Sequence, residues 1–216
     1  MATTALIFDF DGLLMDTETT SLASWQYEYA QYRLELAADG FFPDHGGDVT
    51  EARYAQLAAA VGPGYDRDAS HARRTAHRDR LNAALELEPG IGAWLDQAGE
   101  LGLRLAVASS SPRSWVHRML ERAGHLARFE TVVCGDEVEH VKPDPGVYLL
   151  ALRQLGVGPD EALAFEDSPH GVAAAKAAGL RCVAVPNQHA DPAHFGAADV
   201  LLTSAEQRRI ADLILA

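Results

Sequence analysis

Lysine is nearly absent from this 216-residue chain: Lys142 and Lys176 stand against sixteen arginines. Cysteine is as scarce, with only Cys134 and Cys182, both in short apolar runs. They read as buried thiols of a cytoplasmic protein, not as a disulfide framework. No apolar stretch approaches the about 20 residues that a membrane span needs, so no membrane partner is expected. The first ten residues lack a basic start and lead straight into Asp9 and Asp11, so no signal peptide is expected. Basic charge is outweighed, and the net charge of −13 argues against a nucleic-acid partner. An anionic small substrate is not excluded, because a site can be locally positive. There is no G-x-S-x-G elbow, which sets aside serine hydrolysis, and no G-x-G-x-x-G or Walker loop.

What the chain does have is a recurring punctuation of Ser or Asp, then Pro, then a helical run, then Gly. It predicts helices over 112–123 (Ser111 as N-cap), 145–155 (capped by Asp144) and 169–178 (capped by Ser168). Short apolar runs over 5–10, 104–108, 131–134, 162–165, 181–185 and 200–202 read as strands. A last helix is expected over 206–215. Strands alternating with helices imply βαβ units and a parallel sheet. Residues 17–84 break the alternation. Leu22, Trp25, Tyr29, Tyr32 and Leu36 form a helical stripe, Asp48 and Glu51 suit a capping box opening a helix to Val61, and 66–85 reads as a third helix. The division is an α/β core of 1–16 and 85–216 around an all-helical insert of 17–84.

Open parallel sheets bind ligands beyond the carboxyl ends of their strands. Asp9 and Asp11 follow the first predicted strand, Ser109, Ser110 and Ser111 the second, a loop carrying Lys142 the third, and Glu166 and Asp167 the fourth. Singly, each has a plain explanation: a turn at Asp11-Gly12, a helix cap, a solvated lysine, acids at a helix N-terminus. Together they place four carboxylates, a lysine and a hydroxyl on one rim. Converging carboxylates repel unless a cation joins them, and hard oxygens suit Mg²⁺. A lysine and a serine facing that cation suit an anion with several acceptor oxygens, most simply a phosphate.

These residues carry a resemblance. Leu6-Ile-Phe-Asp9-Phe-Asp11-Gly12, Val107-Ala-Ser109-Ser, Val141-Lys142-Pro-Asp-Pro and Phe165-Glu166-Asp167-Ser resemble, in order, the four motifs of the haloacid dehalogenase superfamily. The opening DFDG-LLMDTE, the KPDP box and EDSPHGVAAAKAAG are similar to the branch of β-phosphoglucomutases and sugar-phosphate phosphatases. The resemblance covers the core and implies a Rossmann-like parallel sheet with the helical insert as a cap domain. It further implies Asp9 as the nucleophile forming an aspartyl-phosphate and Asp11 as the general acid and base. Mg²⁺ would be held by Asp9, by the backbone carbonyl of Asp11 and by Asp167, with Glu166 either a further ligand or behind the ligands, and the phosphoryl oxygens by Lys142 and Ser109, with Ser110 beside them. The expectation is a Mg²⁺-dependent phosphatase acting on a small phosphorylated metabolite, cytoplasmic, monomeric or weakly dimeric.

Alternatives stand beside it. A β-phosphoglucomutase-like mutase keeps the same core, but Gly46-Gly47-Asp48-Val49-Thr50 lacks the arginine of that group's cap element. Dehalogenases lack a second acid like Asp11, and phosphonatases need a cap lysine that 17–84 does not contain. Phospho-acceptor receiver domains and a catalytically idle phosphate-binding module complete the set. In the cap, Arg67, His71, Arg74 and Arg78 share one helical face. That face is either solvated and paired with Asp66, Asp68 and Asp79, or grips an anionic substrate, Arg74 foremost.

Overall fold

The structure is a computed structural model and describes residues 2–42 and 50–215. The chain opens with β1 (Ala5–Phe8) and runs through three helices, α1 (Thr17–Gln31), α2 (Thr50–Val61) and α3 (Arg67–Asn82). It returns through α4 (Ile91–Glu100), β2 (Arg104–Ala108), α5 (Arg113–Arg122), β3 (Thr131–Val133), α6 (Gly146–Leu155) and β4 (Ala162–Glu166). It ends with α7 (Pro169–Ala177), β5 (Arg181–Ala184), β6 (Val200–Leu201) and α8 (Ile210–Ile214). Two compact units result: Met1–Asp16 with Glu86–Ala216, and Thr17–Leu85. Among the described residues no helix is long and apolar enough to cross a membrane.

In the first unit the six strands form one parallel sheet in the order β3-β2-β1-β4-β5-β6. β1 is central and wholly buried, as its unbroken apolar run requires when both faces of a parallel sheet are covered. On one face Ala5 and Ile7 join Ala106, Ala108, Ala164 and Ala184 under Val147 and Ala151 of α6 and Val172 and Ala175 of α7. Small side chains on the strands let those helices lie close. On the other face Phe8 and Phe165 stack at 4.6 Å, and Trp94 of α4 packs on Phe165 at 4.9 Å. Each such side chain stabilises the fold by about 1.5–3 kcal/mol. The strand order reverses on the two sides of β1, so the crevice beyond the ends of β1 and β4 is the switch point where ligands bind in sheets of this kind.

Several elements differ from expectation for local reasons. The first strand stops at Phe8, two residues early, because the chain turns into the Asp9–Gly12 segment. α4 was not anticipated, although Ile91, Trp94, Leu95 and Ala98 form its buried stripe. At α5 Pro112 is the N-cap and no side chain caps the helix, so Ser111 is not the cap. At α6 the N-cap is likewise the proline, Pro145, so Asp144 is not the cap although it accepts from the amide of Gly146, whereas Ser168 does cap α7 by accepting from that of Gly171. At the C-terminus Ser204 caps a 3₁₀ turn over Ala205–Gln207, and Arg208 is extended, which leaves α8 only five residues.

The second unit packs α1 and α3 together and gathers Leu22, Trp25, Tyr29, Phe41, Tyr54 and Leu57 into its own core. α1 ends at Gln31, since Arg33 is left-handed at φ 59°, so Tyr32 and Leu36 reach this core from outside the helix. Between the helices the contacts are polar: Thr20 donates to Asn82 at 2.6 Å, and buried Glu28 pairs with Arg73 at 2.6 Å. Asp66 caps α3 by accepting from the amides of Asp68 and Ala69. The expected Asp48 cap and the Gly46–Val49 stretch lie outside the described residues.

Candidate active site

Asp9 follows β1, and Glu166 and Asp167 stand at the end of β4, side by side because Phe8 pairs in register with Phe165. Both strands are apolar up to this point, so the carboxylates emerge only where the sheet ends. Lys142, from the loop before α6, donates through Nζ to Asp9 Oδ1 and, at 2.7 Å, to Glu166 Oε1. The Lys142 and Glu166 side chains are 5% and 0% exposed. Removing either partner would therefore strand a buried charge, at a cost of about 3–5 kcal/mol.

Glu166 is held by more than the lysine. The buried hydroxyl of Tyr148 donates to Oε1 at 2.5 Å, and the amide of Asp167 to Oε2 at 3.3 Å. Gly171 in α7 leaves the room: a Cβ there would overlap the Glu166 carboxylate. Gly12, at φ 82°, does the same for Asp167, whose Oδ2 also accepts from Asn187 at 2.7 Å.

Carboxylate oxygens of Asp9, Glu166 and Asp167 lie within 4.8 Å of one another and can hold a metal ion. Three buried carboxylates with a single ammonium between them need more positive charge than the side chains supply. The electrostatics agree. Burial pushes the Asp9 carboxyl up to about 8, Lys142 opposing this while Glu166 and Asp11 add to it. Lys142 itself stays firmly charged: burial would lower its pKa, but Asp9 and Glu166 outweigh burial and raise it. Burial and the neighbouring Glu166 hold Tyr148 well above the usual phenol range, so it serves as a donor.

The remaining expected residues fall less uniformly. Ser109 is buried at the end of β2, its Oγ accepting from the amide of Ser111 at 3.0 Å. Ser110 is exposed, its carbonyl against Gly135, and the structure does not bring its hydroxyl to the carboxylates. The Asp11 carboxylate is not part of the metal-competent group. It is turned to α5, with Oδ2 accepting from Ser111 Oγ at 2.6 Å and Oδ1 from Trp115 Nε1 at 2.9 Å. In the helical unit Arg74 lies neither on a solvated face nor in a pair with Asp66, Asp68 or Asp79. It is buried, donates to Tyr54 at 2.8 Å and Ser24 at 3.3 Å, and lies 4.4 Å over the Trp25 ring. Arg67 pairs instead with Glu51 and covers Tyr54, and Arg73 pairs with Glu28.

Trp115, Tyr148 and Asn187 were not anticipated at the site, and Ser111, expected at the end of the second strand and as a helix cap, was not expected to bond Asp11. Ser111 lies before the Pro112 cap, outside the helix that carries Trp115, so no helical spacing relates the two. Tyr148 reads as a core position, and nothing local marks its hydroxyl.

The family model of haloacid dehalogenase-like hydrolases matches residues 6–185. A Bacillus subtilis protein named as a candidate phosphatase, YhcW, is 38% identical over 97% of this chain and 96% of its own. The crystal structure of a candidate β-phosphoglucomutase from Thermotoga maritima superposes with TM-score 0.82 at 28% identity, covering 95% of this chain and 96% of that one. CbbY from Rhodobacter sphaeroides, solved in complex with xylulose 1,5-bisphosphate, does so with TM-score 0.74 at 32% identity over 99% of each chain. A parallel sheet with its acids at the switch point, the match over most of the chain and these relatives lead to one conclusion: the chain belongs to the haloacid dehalogenase-like hydrolases, as a phosphoric monoester hydrolase of the β-phosphoglucomutase-like branch.

Proposed function

We propose that the enzyme is a Mg²⁺-dependent phosphatase that hydrolyses a small phosphomonoester, a sugar phosphate or similar metabolite, through an aspartyl-phosphate on Asp9. The observation that carries this reading is the buried contact of Lys142 with both Asp9 and Glu166, beside Asp167. It sets a carboxyl that becomes the nucleophile when ionised beside a cation suited to phosphoryl oxygens. Asp9, Glu166 and Asp167, with the backbone carbonyl of Asp11, would hold Mg²⁺, which suits an all-oxygen donor set. When bound, the ion adds positive charge that favours the ionised form of Asp9 and neutralises phosphoryl oxygens.

An Asp9 carboxylate oxygen forms a bond to phosphorus while the ester P–O bond breaks. Asp11 gives its proton to the leaving alkoxide. In the second half Asp11 takes a proton from the water that attacks the phosphoenzyme, and Asp9 is regenerated with release of phosphate. Lys142 and Ser109 hold the phosphoryl oxygens and offset the charge that grows on them in the transition state. The bisphosphate held by CbbY is in keeping with a phosphorylated sugar as the substrate class. The two free, buried cysteines suit a reducing compartment, and we place the enzyme in the cytoplasm.

The test is phosphate release from a panel of sugar phosphates, nucleotides and phosphorylated acids, with Mg²⁺ and with chelator. Release from at least one sugar phosphate, abolished by chelator, is expected. Conversion of a hexose 1-phosphate to the 6-phosphate without free phosphate would replace hydrolysis by phosphoryl transfer between positions. No turnover of any compound would replace catalysis by binding alone.

A further inference from the structure

Two side chains, Ser111 from the turn before α5 and Trp115 within it, converge on one carboxylate from the far side of the sequence. Ser111 and Trp115 are separated from Asp11 by 100 and 104 residues, yet each donates to a different oxygen of it. Ser111 is placed for this because Pro112, and not the serine, caps α5, which leaves the hydroxyl to point elsewhere. A carboxylate gripped at both oxygens cannot turn about its own bond without breaking one of the contacts. The two donors also differ in kind. An indole N–H can only donate, whereas a hydroxyl can donate or accept. Oδ1 is thereby kept an acceptor, while Oδ2 can carry a proton at its second lone pair with the Ser111 hydroxyl still donating to the first.

We propose that Ser111 and Trp115 are positioning residues for proton transfer: they fix the plane of the Asp11 carboxylate and make Oδ2 the oxygen from which the proton leaves. The inference rests on the acid–base role of Asp11 given above. In the first half-reaction the Oδ2–H bond breaks and the proton passes to the leaving oxygen as its bond to phosphorus breaks. In the second, the attacking water returns a proton to Oδ2. The Ser111 hydroxyl donates to Oδ2 and Trp115 holds Oδ1 throughout.

The test uses a series of aryl phosphates of increasing leaving-group pKa, from p-nitrophenyl to phenyl phosphate, so that the natural substrate need not be known. Ser111→Ala and Trp115→Phe are expected to lower kcat/KM about tenfold on phenyl phosphate and distinctly less on p-nitrophenyl phosphate, whose leaving group hardly needs a proton. Ser111→Thr, which keeps the hydroxyl, should restore the phenyl phosphate rate. Placed on top of Asp11→Asn, neither substitution should add to the loss, because the group they position has gone. Equal losses across the series, losses that add fully to that of Asp11→Asn, or a gain on phenyl phosphate would each overturn the proposal. Asp11→Asn alone separates the two layers. If it shows no leaving-group dependence, the acid–base reading itself fails. If it does while Ser111→Ala and Trp115→Phe do not, only the positioning fails.

Discussion

Replacing Gly171 by alanine should destabilise the protein, although the position is helical and alanine is the better helix former. On propensity alone the change would stabilise by about 1 kcal/mol. The Cβ would overlap the Glu166 carboxylate, which is fully buried and has Lys142 and Tyr148 on Oε1. Crowding a packed interior costs about 1–3 kcal/mol, and a charged hydrogen bond lost as Glu166 moves costs about 1.5–3 more. The net expectation is a destabilisation of about 2–5 kcal/mol together with weakened metal binding. Gly99→Ala is the control: it lies in α4 with open space around it and should gain up to about 1 kcal/mol. Urea unfolding of both variants in chelator, with calorimetric Mg²⁺ titration, measures the difference. If Gly171→Ala proved as stable as Gly99→Ala, the packing of α7 against Glu166 would be wrong.

Two further outcomes follow from buried charge. In metal-free protein the folded Asp9 carboxyl holds its proton up to about pH 8, whereas the unfolded one releases it near 4, so the native state binds more protons between these values. Stability therefore falls as pH rises from about 4 to about 8, and denaturant unfolding should show Asp9→Asn losing less than wild type over that interval; parallel curves would refute it. Arg74→Ala removes buried hydrogen bonds to Tyr54 and Ser24 and the contact with Trp25, and should cost about 2–4 kcal/mol. Arg67→Ala, which loses a partly exposed pair with Glu51 and the contact with Tyr54, should cost about 0.5–2 kcal/mol, and equal melting temperatures for the two variants would contradict the burial of Arg74.

The acids and the lysine were legible because each directly follows, or lies in the loop beyond, an apolar run that can only be a buried strand, and a parallel sheet brings such ends together. What the sequence hid was mostly direction. Ser111 before Pro112 has the look of a helix cap, but a hydroxyl one residue outside the first turn can serve the backbone or a distant carboxylate, and only the tertiary structure decides. Tyr148 sits at a core position of α6, where ring and hydroxyl give the same hydrophobic signal. In α3 the spacing of Arg67, His71, Arg74 and Arg78 defines a face without saying what that face meets. The aromatic faces of Trp25 and Tyr54 accept Arg74 without any carboxylate. α4 was missed although its stripe is regular, for Gly90 and Gly92 around its start resemble a loop.

The proposed mechanism turns on a covalent bond between phosphorus and Asp9. Rapid acid quench during steady-state turnover of a substrate found in the phosphate-release panel, followed by borohydride reduction and peptide mass spectrometry, reads it directly. The residue reduced is expected to be Asp9, and the label should need both Mg²⁺ and substrate and disappear in Asp9→Asn along with turnover. Phosphate release continuing in Asp9→Asn at the wild-type rate, or a label on any other residue, would contradict it.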